Sequence, residues 1–271
     1  MGQNYTLWDE LKSAMYGKRA IVILLGVVIF FLVHMINKDN YGFRDELGVF
    51  TFHLDNILPI VFPLLAVLVY LSKFASELHH RFILYTRARI PIKKMLLIKC
   101  SANAIISFSV FFLLVFSSFI FAFYIEPLLQ TVQYSDPANY GMTKEEMVQN
   151  RNTRHTFTQL LVYGDFVYGL FYSLWVGLHA AIWATIGFFL LLMIERPYVA
   201  MAIPYIVYFV QMFLFIEPHL RPFRLSFTMF PFGFTQQPIW TAFVPMVGLL
   251  LICGGLFLYV YLNFRRLDQL L

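Results

Sequence analysis

The stretch that decides the fold is FVYGLFYSLWVGLHAAIWATIGFFLLLMI, residues 166–194, which holds no charged side chain from Phe166 to Ile194. A bilayer's hydrocarbon core is crossed by about 20 helical residues rising ~1.5 Å each. This run is generous for a crossing and too uniformly apolar for a helix with one solvated face. Working outward, Glu195, Arg196 and Pro197 separate it from a second apolar run, Tyr198 to Ile216. A last run, Ile239 to Phe264, ends at Arg265 and Arg266. On the N-terminal side lie Ile92 to Ile125, long enough to project or tilt, and Asn56 to Leu71, closed by Lys73. The first run is Ala20 to Ile36, preceded by Lys18 and Arg19. The expectation is an all-α polytopic membrane protein with six transmembrane helices.

Composition agrees. Of 271 residues, 60% are apolar and 13% charged, against about 25% charged for a soluble domain that must solvate its surface. With 31 Phe and 16 Tyr, lipid contact and interfacial anchoring are well supplied. No stretch outside the apolar runs can bury a core of its own, so 1–271 reads as a single transmembrane domain. Cys100 and Cys253 both fall inside apolar runs, where thiols act as small hydrophobes. The polar leader before Ala20 is too long and too acidic for a cleaved signal peptide, so the first span is expected to stay.

Lys and Arg set the orientation. With the N-terminus in the cytoplasm, thirteen of the 20 basic residues fall inside and seven outside, while five of the 15 acids fall inside and ten outside. Both termini are therefore expected in the cytoplasm, in a multi-pass protein of a cell membrane.

The connections carry further signals. Residues 1–19 contain Thr6 and Asp9 at capping-box spacing and Leu7, Trp8, Leu11 and Met15 at helical spacing, which predicts a short helix in the cytoplasmic interface. Segment 126–164 is a polar external loop, with a short helix expected from Thr143 to about Arg151. Segment 217–239 is different. Phe223, Phe227, Phe230, Phe232 and Phe234, interrupted by Pro222, Pro231 and Gly233, are too apolar for an open loop. They predict a broken or re-entrant segment before the last span, because irregular backbone at membrane depth must be satisfied by protein or water.

The densest charge is in the cytoplasmic connection 72–91. Seven basic residues lie from Lys73 to Lys99 beside one acid, Glu77. Leu78, Phe82 and Tyr85 recur at helical spacing, Arg81 lies on a neighbouring face, and Pro91 can open the next span. An amphipathic surface helix over 76–90 is expected. Basic residues there would also set topology and bind anionic headgroups, but that role requires no acid.

At these residues the chain resembles the permease subunit of ABC-2 type ATP-binding-cassette transporters, of the kind common in Gram-positive bacteria. That family has six spans, an N-terminal interfacial helix, a broken hairpin before the last span and a coupling helix between spans two and three. Its coupling helix often opens with Glu, and a Tyr-Thr-Arg-like stretch, a basic cluster and a Lys in span three follow. The matching positions are Glu77, Tyr85-Thr86-Arg87, Lys93-Lys94 and Lys99. The Gly that often follows the Glu in the family is replaced by His79-His80-Arg81, two residues later. The resemblance implies ATPase-coupling roles for Glu77, Leu78, Arg81, Phe82, Tyr85 and Arg87. It also implies a second permease chain, identical or similar, and cytoplasmic ATPase partners that carry ATP and Mg. This chain contains no G-x-x-x-x-G-K phosphate loop, so any ATP would bind on another chain.

Polar residues within spans are candidates for a translocation path. His179, Gln211 and Asn56 are those positions. His34 and His179 lie at different depths and do not suit paired haem ligation. There is no H-E-x-x-H zinc pattern, and Glu145-Glu146 lacks the companion Arg of membrane-embedded prenyl-protein proteases, with Asn150 in its place. No enzyme activity, cofactor, metal or nucleic-acid partner is expected in this chain. The leading reading is an exporter subunit for an amphipathic, peptide-like or lipid-like substrate. A membrane scaffold or assembly factor is the alternative, and a membrane enzyme is a more distant one.

Overall fold

The computed structural model describes residues 5–16, 18–38, 41–79 and 91–263. Among them are eleven α-helices: α1 Leu7–Met15, α2 Lys18–Asn37, α3 Glu46–Leu54, α4 Leu58–His79, α5 Ile92–Ile120, α6 Glu126–Leu129, α7 Lys144–Thr153, α8 Asp165–Met193, α9 Pro197–Leu214, α10 Leu225–Met229 and α11 Trp240–Leu262. Five helical stretches are long and apolar enough to cross a bilayer, as a multi-pass membrane protein requires. They are Leu58–Leu78, Ile92–Leu129, Asp165–Met193, Pro197–Leu214 and Trp240–Leu262. The first expected span falls on α2, whose apolar stretch among the described residues, Ile21–Phe30, is shorter than a crossing.

Helix α8 is the hub of the bundle. It is mostly buried from Tyr168 to Leu192, with Leu174 and Leu178 exposed, and α4, α5, α9 and α11 all pack on it. The contact with α5 is closest at Gly169, where a Cβ would lie 2.3 Å from the Phe119 ring. Small residues that let helices approach are a standard solution in lipid, where association depends on packing rather than on expulsion of water. Between α5 and α6 the helix takes one π-turn, Phe121–Ile125.

Two boundaries differ from the sequence expectation. The second span does not close at Leu71, because α4 continues unbroken to His79. No Gly or Pro interrupts 72–79, and the charges there are paired within the protein. Glu77 and Leu78 therefore belong to the end of a spanning helix rather than to the start of a separate one. The remainder of the expected surface helix, with Arg81, Phe82, Tyr85 and Arg87, lies outside the described residues. In addition, the connection after α2 is not simple loop. Asp45 caps α3 by accepting from the Gly48 N–H at 2.8 Å, and Leu47, Phe50 and Leu54 are fully buried.

At the end of the bundle opposite α1, three connections form a cap. Ser135 N–H donates to Phe43 O at 2.8 Å, and the Arg154 guanidinium makes a twin contact with Asp45 at 2.9 and 2.8 Å. Arg151 pairs with Asp165 at 2.8 Å. The helix expected near 143–151 is present as α7, with Thr143 and Glu146 forming a reciprocal capping box. Beneath these charges, the buried Phe50 ring meets Phe119, Phe123, Tyr168, Tyr172 and Phe232, mostly edge to face, the arrangement aromatic quadrupoles favour.

Candidate functional site

The sequence feature most in need of a structural explanation was Glu77, a lone acid among bases. Its carboxylate lies 2.6 Å from Lys99 Nζ on α5 and 3.8 Å from Lys73 Nζ one helical turn back. Lys73 and Lys99 in turn reach Glu10 on α1, at 2.9 and 3.3 Å. Tyr70 donates to Glu10 at 2.6 Å, Tyr5 donates to its other oxygen, and Lys73 also donates to Ser13 Oγ at 2.6 Å. Two acids and two lysines from three helices thus form one closed, electroneutral network. The Glu10 and Lys99 side chains are only 3% and 7% exposed.

Local sequence explains the convergence. Thr6 and Asp9 cap α1 reciprocally, which sets the helix phase. Leu7, Glu10, Leu11 and Ala14 then face α4 and α5, while Trp8 and Met15 are exposed. The face that docks is therefore not the Leu7–Trp8–Leu11–Met15 face predicted from spacing. Burial by itself would raise the Glu10 carboxyl. Lys99 and the bonds from Tyr5, Tyr70 and Lys73 outweigh burial and hold it below its ordinary value, so the group stays charged at neutral pH. Glu10 was missed in the sequence because an acid in an amphipathic helix is normally assigned to solvent. The usable signal was its company: Lys73 and Lys99 also sit in apolar surroundings, and an intramembrane Lys needs a partner.

Leu78 is half-buried and packs on the apolar cluster shared by α1, α4 and α5. Among the described residues, the three residues proposed for a path share no hydrogen bond with one another. His179 is fully buried on α8. Its Nδ1 lies 2.9 Å from Trp175 O, and Nε2 has no partner among the described residues. Gln211 holds the broken segment. Its amide donates to Phe223 O at 3.2 Å, and its oxygen accepts from Leu225 N–H at 3.0 Å. The same segment is fastened from α8, where Tyr172 donates to Met229 O at 2.7 Å and Trp175 to Thr228 O at 2.8 Å. These bonds satisfy the irregular backbone that the apolar 217–239 run requires. Asn56 sits at the start of α4 and donates to Phe52 O at 3.2 Å.

No family model, curated protein or solved structure matches this chain. The geometry therefore stands on its own. It consists of a helical membrane bundle, a broken aromatic segment at one end and a buried ionic joint at the other.

Proposed function

We propose that this chain is the permease subunit of an ATP-driven transporter of the ABC-2 type. In this reading it has six spans, lies in a bacterial cell membrane with both termini cytoplasmic, and pairs with an identical or similar chain. Separate cytoplasmic ATPases bind at residues 76–90. The observation that supports it is the 2.6 Å pair between Glu77 and Lys99, two of the positions on which the resemblance rests. A force applied to the 80–90 connection reaches Glu77 first. Through Lys99 and Lys73 it then moves α5, α4 and, through Glu10, α1 together. A half-buried ion pair transmits such a displacement well because separating it in a low dielectric is unfavourable. Leu78, Arg81, Phe82, Tyr85 and Arg87 would supply the ATPase contact, and Glu77 its rigid base. The substrate in this reading is amphipathic, with His179, Gln211 and Asn56 serving the path or its packing.

The test is purification from native membranes in mild detergent, with identification of the chains that copurify. The expected result is a stoichiometric partner bearing a phosphate loop and hydrolysing ATP. Glu77→Gln should leave that complex assembled while lowering transport per ATP hydrolysed, whereas Phe82→Ala should weaken ATPase association by roughly 2 kcal/mol, as loss of an aromatic anchor does. A stable complex without any nucleotide-hydrolysing chain would replace this reading with the scaffold one.

A further inference from the structure

Among the described residues, helix α2 packs on α1 and α3 and is separated from the flank of α4 and α5 except where side chains such as Val27 and Phe30 reach the core. The separation leaves an apolar cleft of about 450 Å³, walled by Val22, Gly26 and Val27 of α2, Leu65 and Leu68 of α4, and Val110 of α5. A second cavity of about 450 Å³ adjoins it toward the α3 end, sharing Phe30, Leu58 and Leu65 as walls. That cavity meets a third, of about 300 Å³, through Tyr41, Phe52 and Asn56. The third is polar and is lined by Arg44, Thr51, Asp55, Asn56 and Arg154. A long greasy slot therefore ends in a charged chamber.

The dimensions and charges define an occupant. From Leu58 to Ser72 the α4 wall of the slot rises roughly 21 Å, more than the ~15 Å that one leaflet contributes to a hydrocarbon core of ~30 Å. The slot thus takes a full acyl chain. In the chamber, Arg154 is already neutralised by its twin contact with Asp45. Arg44 is not: it lies over the Tyr140 ring at 4.3 Å and pairs with no acid among the described residues. Asp55, the residue that ends α3, has no cationic partner there either, and desolvation pushes its carboxyl up to about 6. One unpaired cation and one unpaired acid in the same chamber complement a head carrying both signs.

We propose that the cleft between α2 and the α4–α5 flank binds a zwitterionic bilayer phospholipid, its acyl chain in the slot, its phosphate at Arg44 and its ammonium at Asp55. The site does not depend on the transporter reading. Gly26 gives a clean way to close it, because a Cβ added there meets nothing within 4 Å, so a larger side chain enters the slot without displacing the bundle. Gly255 on α11 is equally unobstructed and exposed, and serves as the control.

The test reconstitutes the full chain in vesicles of equal parts phosphatidylethanolamine and phosphatidylglycerol, re-extracts it in mild detergent and counts retained lipids by native mass spectrometry. The wild type should retain phosphatidylethanolamine about tenfold over phosphatidylglycerol, equivalent to ~1.4 kcal/mol. Gly26→Phe should remove that retention, and Gly255→Phe should leave it unchanged. Asp55→Asn should abolish the preference between the two heads, while Arg44→Gln should reduce retention of both. Wild-type retention in Gly26→Phe, equal loss in Gly255→Phe, or an undiminished preference in Asp55→Asn would each overturn the site.

Discussion

The two ends of the bundle hold their charges in opposite ways. At the α1 end, Glu10, Lys73, Glu77 and Lys99 sit largely inside the protein and neutralise one another across three helices. At the other end, Arg154–Asp45 and Arg151–Asp165 are separate pairs, 20% and 11% exposed in the first and 22% and 39% in the second, above a layer of aromatic rings that does the packing. Ion pairs open to water contribute little, whereas a buried charge that loses its partner is strongly destabilising. The α1 end is therefore one linked joint, whereas the opposite end is a cap of separate pairs, of which Arg151–Asp165 at the rim can be lost at little cost.

The sharpest way to break this contrast is Lys99→Met. It leaves Glu10 with Lys73 alone and removes the closest partner of Glu77, so we expect a loss of about 3–5 kcal/mol. Thermal unfolding in detergent should show the loss, and labelling of a Cys placed at Ala14, now buried, should show α1 released. A fall below 1 kcal/mol would mean that the network is no more than a rim pair. Next comes Gln211→Leu, which leaves a carbonyl and an N–H of the broken segment unpaired at about 1–3 kcal/mol. Faster proteolysis near residue 224 should report it, with α1 protection unchanged.

A third effect is set by pH and separates the ends without mutation. His155, buried in the cap, is driven down to about 3, first by desolvation and then by Arg154. Between 6.5 and that value the unfolded chain takes up a proton that the folded cap refuses, so stability falls with falling pH by up to about 1.4 kcal/mol per unit. Glu10 shifts in the carboxylate sense. Its contribution is complete above the ordinary 4.5 and is lost only as pH falls through a value lower still. Hydrogen exchange at pH 5 should therefore rise in 140–163 while α1 stays protected. Equal exchange at both ends would erase the distinction.

Five of the six expected spans were legible because hydrocarbon imposes a length and a composition on each of them. The cap at Thr6, the short helix near 143–151 and the broken aromatic segment were legible because their chemistry is local. Glu10 was not, since its meaning lies in Lys73 and Lys99, 63 and 89 positions away. The end of α4 was misplaced for the same reason. A Lys at position 73 reads as a membrane boundary until the acid that neutralises it is known. Helix α3 was hidden because Glu46–Leu54 is too short for periodicity to stand out, and Arg154 gave no sign of its tie to Asp45, 109 positions away.

Glu10 also has a place in time. It leaves the ribosome before either lysine that will hold it, and both arrive only with the α4–α5 hairpin. Helix α1 therefore lacks the partners of its carboxylate until both lysines have been made. The joint can close only once α5, which carries Lys99, has followed α4 out of the ribosome. A helix made before its partners is locked only after them, which makes this ionic clasp a record that α4 and the start of α5 are in place.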